Sequence, residues 1–142
     1  MNQAIEIKEL TKQYASKRAV NNVSLSIQEG ELFALLGVNG AGKTTLIKML
    51  SCLTKPTSGD AFLFGKSIIT EPQQVKQLIA VSPQETAIAP NLTVRENLEL
   101  MAGVHGFNKE KTKLKTDELI HKFSLQPFEK QRSKTLSGGW KR

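Results

Sequence analysis

The chain contains one cysteine, Cys52, so no intrachain disulfide can form. Sitting among Met49, Leu50 and Leu53 on an expected helix, Cys52 reads as a packing residue rather than a reactive thiol. Aromatic residues are scarce, at 6%. That is too few for the interleaving of bases and aromatics by which single-stranded nucleic acid is gripped, and no nucleic-acid partner is expected. No apolar run approaches the ~20 residues that cross a bilayer. The opening Met1-Asn2-Gln3-Ala4 lacks the charged and apolar regions of a secretory signal, so a cytoplasmic location is expected. There is no internal repeat and no low-complexity linker. Acids are outnumbered, 13 against 20 bases, leaving a net charge of +7. Such a balance suits an anionic partner, whether nucleic acid, membrane surface or nucleotide, without choosing among them. Many of the bases lie between Lys109 and Arg142, interleaved with acids as on a solvated helix face.

What the chain does have is the composition of a globular domain, 39% apolar and 23% charged over 142 residues. Its most informative stretch is Gly37-Val38-Asn39-Gly40-Ala41-Gly42-Lys43-Thr44-Thr45, directly after the apolar run Leu32-Phe33-Ala34-Leu35-Leu36. This fits the phosphate-binding G-x-x-x-x-G-K-[ST] pattern (Walker A) in its required setting, a strand feeding a glycine-rich turn that opens a helix. Glycines let the backbone curl so that several N–H groups converge on one anion at a helix N-terminus. Lys43 would add a point charge on the β- and γ-phosphates, and the Thr44 hydroxyl would be one ligand of the bridging Mg²⁺. A random chain of this length matches less than about 1% of the time.

Along the chain, Ile5 to Leu10 and Val23 to Ile27 alternate as half-buried strands of an antiparallel region, with Tyr14 on a polar loop between them. Leu32 to Leu36 is apolar throughout, as expected of a strand buried on both faces of a mainly parallel sheet. Leu46, Ile47, Leu50 and Leu53 recur at helical spacing, and that helix should end near Thr54 to Gly59. Asp60 to Phe64 reads as a strand turning at Gly65-Lys66, and Ile79-Ala80-Val81 as a short strand leading into Ser82-Pro83-Gln84-Glu85. Thr93-Val94-Arg95-Glu96 is a capping box. The chain beyond it, to about Ser133, should be mostly helical, with breaks near Gly103 to Phe107 and at Pro127. His105 and His121 read as surface residues of helix or loop.

Leu136-Ser137-Gly138-Gly139-Trp140 follows that helical segment. By itself Ser-Gly-Gly is a weak signal. Together with the phosphate loop and Gln84 it makes an ordered set, and on it the chain resembles the nucleotide-binding subunit of ABC transporters from about Ile5 onward. The wording of Gly37 to Thr45 and Asn91-Leu92-Thr93-Val94-Arg95-Glu96-Asn97-Leu98 is most similar to bacterial ATPases of multidrug or ABC-2-type exporters. The resemblance implies an α/β P-loop NTPase of the ABC type, with an N-terminal antiparallel β region and a helical subdomain, ending before the Walker B strand. It divides the chain into the N-terminal core (1–91), the helical subdomain (92–135) and the signature motif with the end of the chain (136–142).

It further implies that ATP is bound with Mg²⁺. Tyr14 would stack on adenine, Gln84 would contact Mg²⁺ and the attacking water, and the signature Leu136 to Trp140 would cap the γ-phosphate held by a second subunit in a head-to-tail pair. The helical subdomain would dock on a membrane-spanning permease, placing the protein on the cytoplasmic face of the membrane. Trp140 departs from the family's usual glutamine; an indole can stack or donate one bond but cannot copy a carboxamide.

Phosphoryl transfer to water also needs an acid for Mg²⁺ and a group that orients the water. In the family these are an Asp-Glu pair on a strand after the signature, with a switch histidine beyond. No apolar run here leads into such a pair. The expectation is therefore an amino-terminal piece of a larger ATPase, unstable or non-native as a lone monomer unless self-association repairs its sheet. The same residues leave two other readings: a non-catalytic nucleotide-binding or interaction fragment, and an ABC ATPase of DNA repair or translation. The latter is disfavoured because only about fifty residues separate Gln84 from the signature. A GTPase is excluded by Asn108-Lys109-Glu110-Lys111, which fails the Asn-Lys-x-Asp guanine reader at its last position.

Overall fold

The computed structural model describes residues 2–82 and 88–141. They form two units, residues 1–81 and 82–142. In the first, strands β1 (Gln3–Tyr14) and β2 (Lys17–Gln28) make an antiparallel hairpin across the two-residue turn Ala15-Ser16. Strand β3 (Ser58–Leu63) pairs antiparallel with the other edge of β1, and the short β4 (Lys66–Ser67) closes the sheet in the order β2-β1-β3-β4. Helices α1 (Lys43–Leu50) and α2 (Pro72–Leu78) complete the unit. Ile7 and Leu10, three residues apart, both face inward because the ladder is bulged between them, with Glu9 at φ +50°, which resets the alternation; there they meet Val20, Ala61 and Leu63 of the sheet and Leu46 and Met49 of α1 in one buried cluster. Gly59 is needed where β3 crosses the bulged part of β1: its φ is +75°, and a Cβ there would collide with the Glu9 carbonyl.

Two expected strands are not formed. Residues 31–38 carry no strand assignment, and Leu32 and Leu36 are 100% and 88% exposed, with only Leu35 drawn partly onto the core. Residues 79–81 likewise stay outside any ladder. The reason is that a strand is a pairing, and among the described residues nothing lies beside either run to supply the other half of its hydrogen bonds. The sheet that does form is wholly antiparallel. An apolar cleft of about 510 Å³, lined by Ile5, Ile7, Leu25, Phe33, Leu46 and Leu50 among others, is left beside residues 32–36. A second adjustment concerns Cys52. It sits in the turn after α1, at φ +58°, with its thiol directed at the Ile68 carbonyl oxygen at 3.8 Å. Burial pushes that thiol's pKa up, offset in part by Lys76, which fits the packing role.

The second unit contains α3 (Val94–Val104), α4 (Lys109–Lys122), a single 3-10 turn at Ser133–Thr135 and the short α5 (Gly138–Lys141). Helix α3 starts with a complete capping box, Thr93 accepting from the Glu96 N–H and the Glu96 carboxylate accepting from the Thr93 N–H. Helix α4 is capped by Asn108, whose side chain accepts from the Lys111 N–H at 2.8 Å. The first break falls at residues 105–108, where Gly103 to Phe107 place it; the second expectation is corrected, because α4 ends at Lys122, five residues before Pro127, and residues 123–132 hold turns rather than a resumed helix.

Candidate functional site

Three pieces of the first unit build one cavity of about 290 Å³: the tip of the β1–β2 hairpin, the loop 38–42 and the start of α1. Tyr14, the last residue of β1, pairs with Lys17, the first of β2, and both line the cavity together with Ala19 and Val38 to Thr45. The expected loop position of Tyr14 is thus the end of a strand.

The loop is shaped by contact with β2. Gly42, the residue before α1, has φ +97°, and a Cβ on it would run into the Ala19 carbonyl oxygen. Only glycine lets the loop lie so close to the strand. Its carbonyl accepts the Leu46 N–H at 2.9 Å, which starts α1, while the Ala41 N–H is turned onto Val38 O at 3.1 Å. No side chain caps α1, and no acid stands in its first turn. The contrast with α3 and α4, both capped by their own residues, matters chemically, because an uncapped helix start leaves N–H groups and the positive end of the dipole available to an anion.

Gly37 and Val38 have a further part: their carbonyls accept hydrogen bonds from the Lys43 ammonium, the one to Val38 at 3.1 Å. The lysine is therefore folded over its own loop, at the mouth of the same cavity. Thr44 is exposed and lines the cavity. Among the described residues no group of three or more His, Cys, Asp or Glu stands ready to hold a metal. The threonine hydroxyls beside the glycine-rich loop, Thr44 among them, fit Mg²⁺ arriving as the complex of a polyphosphate, since this hard ion keeps several waters and takes its remaining oxygens from phosphate.

In the second unit, Ser137 begins a tight turn: its carbonyl accepts the Trp140 and Lys141 N–H groups at 3.1 and 3.3 Å. A Cβ on Gly138 or Gly139 would meet nothing within 4 Å. The chain's own packing gives no reason for glycine at either position. Trp140 lies against Phe128, ring centroids 5.3 Å apart and tilted by 41°, and remains half exposed. Leu136 lines a small cleft with both of these aromatics. Gln84 lies outside the described residues.

Three residues of importance were not singled out from the sequence. Lys17 could have been placed at the cavity by counting the hairpin register across Ala15-Ser16. Arg95 bonds Asp117 at 2.8 Å and Glu129 at 2.9 Å, and these carboxylates hold its guanidinium pKa above its ordinary value. Asn97 donates to Ala89 O and Ser133 Oγ, at 3.1 and 2.7 Å, and accepts from the Ala89 N–H at 2.8 Å. Nothing in local sequence reveals bonds that span up to 36 positions.

A glycine-rich loop opening an uncapped helix, beside an aromatic hairpin, defines an α/β nucleotide-binding protein of the P-loop class. Residues 20–142 match the ABC transporter family model, and the chain belongs to that family. It is 37% identical over 139 residues to the daunorubicin/doxorubicin resistance ATP-binding protein DrrA of Streptomyces peucetius, covering 98% of this chain and 42% of that protein. The chain spans about two fifths of the length of such curated relatives. Among solved structures it resembles an ATP-binding subunit of an ABC transporter (TM-score 0.81, 28% identity, 97% of this chain and 57% of that one). It also resembles the dimeric post-hydrolysis cassette MJ0796 bound to ADP and Pi (TM-score 0.78, 27% identity, 96% of this chain and 65% of that one). No helix among the described residues is long and apolar enough to cross a membrane.

Proposed function

We propose that the chain binds MgATP in the Tyr14/phosphate-loop cavity and that the protein of which it forms part hydrolyses ATP to drive a substrate across a membrane. The observation that carries this reading is the cavity itself, in which an aromatic face, an uncapped helix start and Lys43 line one space. Tyr14 stacks on the base. The N–H groups of Gly40 and of Gly42 to Thr45 surround the phosphates, Lys43 leaves its own loop carbonyls for them, and Thr44 and Gln84 offer oxygen to the Mg²⁺ that enters with the nucleotide. When bound, Mg²⁺ neutralises charge between the phosphates.

Ser137, Gly138 and Gly139 are proposed to cap the γ-phosphate of a nucleotide held by a second ATPase subunit. The open space over both glycines supports this, because a phosphate can approach the backbone there. Residues 92–135 are proposed to meet a membrane-spanning permease at the cytoplasmic face. The drug-resistance role for which DrrA is named favours an exporter.

For residues 1–142 by themselves the proposal is binding without turnover, since the sequence offers no Asp-Glu pair at the end of an apolar run. The test is titration with MgATP, followed by calorimetry, for the parent chain and Lys43→Ala. Saturable binding that weakens at least tenfold in the variant supports the proposal. Equal binding, or steady phosphate release by residues 1–142, contradicts it.

A further inference from the structure

We infer that Lys17 is a second phosphate-binding cation of the site, supplied by the β-hairpin rather than by the glycine-rich loop; this rests on the nucleotide-binding reading above. Lys17 is the first residue of β2 and is paired with Tyr14, so the hairpin register fixes where its backbone stands. Tyr14 has a neighbouring cation of its own: Lys12, two residues earlier on β1, donates to Lys55 O at 2.7 Å and places its ammonium 5.2 Å from the Tyr14 ring centroid. Lys12 does not line the cavity, whereas Tyr14 and Lys17 do. The hairpin therefore presents an aromatic face and a cation to the same space, directly across from one another.

The position of that cation selects its target. The Lys17 ammonium lies 3.9 Å from where a Cβ on Gly40 would be, which puts it over the glycine-rich loop. The other cation lining the cavity, Lys43, is hydrogen-bonded to Gly37 O and Val38 O. The Lys17 ammonium, by contrast, enters no side-chain hydrogen bond or ion pair among the described residues. An ammonium on a flexible stem, unengaged and beside a phosphate cradle, is suited to follow a charged oxygen as a point charge. The contact reaches phosphate and not base, so its effect scales with the charge of the ligand.

The experiment measures the binding of MgATP, MgADP and adenosine by calorimetry to the full chain as parent, Lys17→Met, Lys17→Arg and Lys43→Ala, with a circular dichroism melt of each. Lys17→Met is expected to weaken MgATP about 3- to 10-fold and MgADP less, to leave adenosine within twofold, and to melt with the parent. Lys17→Arg should recover most of the loss. MgATP binding unchanged in Lys17→Met while Lys43→Ala loses it overturns this inference alone. A loss that is equal for adenosine assigns Lys17 to packing and also overturns it. Unchanged MgATP binding in Lys43→Ala removes the nucleotide reading and the inference together.

Discussion

Residues 1–81 pack nine buried apolar side chains, from Ile7 to Val75, into one cluster between sheet and helices. In residues 82–142 the buried apolar side chains among those described are Val94 and Ile120. The second unit is tied instead by polar groups at the ends of its segments. The capping box starts α3, Asn97 gathers Ala89 and Ser133, and Arg95 draws together Asp117 of α4 and Glu129. An apolar core tolerates an irregular neighbour, which is how the glycine-rich loop and the unpaired run 32–36 sit on the first unit. Polar ties fix a few positions closely and depend on each partner being present.

The largest effect that can break this comparison is a cavity in the first unit. Met49 is fully buried, so Met49→Ala should cost about 2–5 kcal/mol of unfolding free energy in denaturant titrations. The sole tyrosine, Tyr14, lies in the first unit and the sole tryptophan, Trp140, in the second, so the two can be followed by separate emission. The loss should fall on the tyrosine transition. Gly42→Ala comes next, at about 2–4 kcal/mol, because the residue needs positive φ and its Cβ meets the Ala19 carbonyl. It should abolish MgATP binding as well. In the second unit, Asn97→Ala leaves the Ala89 N–H and the buried Ser133 hydroxyl without their partner, and should cost about 1–3 kcal/mol on the tryptophan transition.

A smaller effect separates the units by pH. Hydrogen bonding from Lys66, aided by the Ser67 N–H, holds the Glu71 carboxyl below the usual carboxylate range. A depressed carboxylate stabilises the fold at pH above its unfolded value, about 4.3, and that contribution disappears as pH falls through the lower folded value. Glu71→Gln should therefore flatten part of the acid side of the tyrosine transition and leave the tryptophan transition unchanged. The smallest effect belongs to Leu36→Ser, which should alter stability by no more than about 0.5 kcal/mol, since the side chain is 88% exposed. A loss of 2 kcal/mol or more there would show that residues 32–36 are packed, and would dissolve the contrast between core and loop.

The sequence was most legible where chemistry is local. Gly37 to Thr45 announced its own turn and helix, Thr93 and Glu96 announced a helix start, and alternation in Ile5 to Leu10 announced β1. It misled where a local pattern needs a distant partner. Leu32 to Leu36 has the composition of a buried strand, yet composition does not supply the neighbour that makes it one. It was silent on Arg95 and Asn97, whose partners are distant in sequence, and on Lys17, whose importance comes from a hairpin register and not from its residue type.

The most direct test of a nucleotide site built on the first unit is amide hydrogen exchange with and without MgATP, read by peptide across both units. The account predicts added protection over residues 37–50 and the Tyr14–Lys17 turn, none over α4, and loss of that protection in Lys43→Ala. No change at residues 37–50, or the same change in Lys43→Ala, would contradict it.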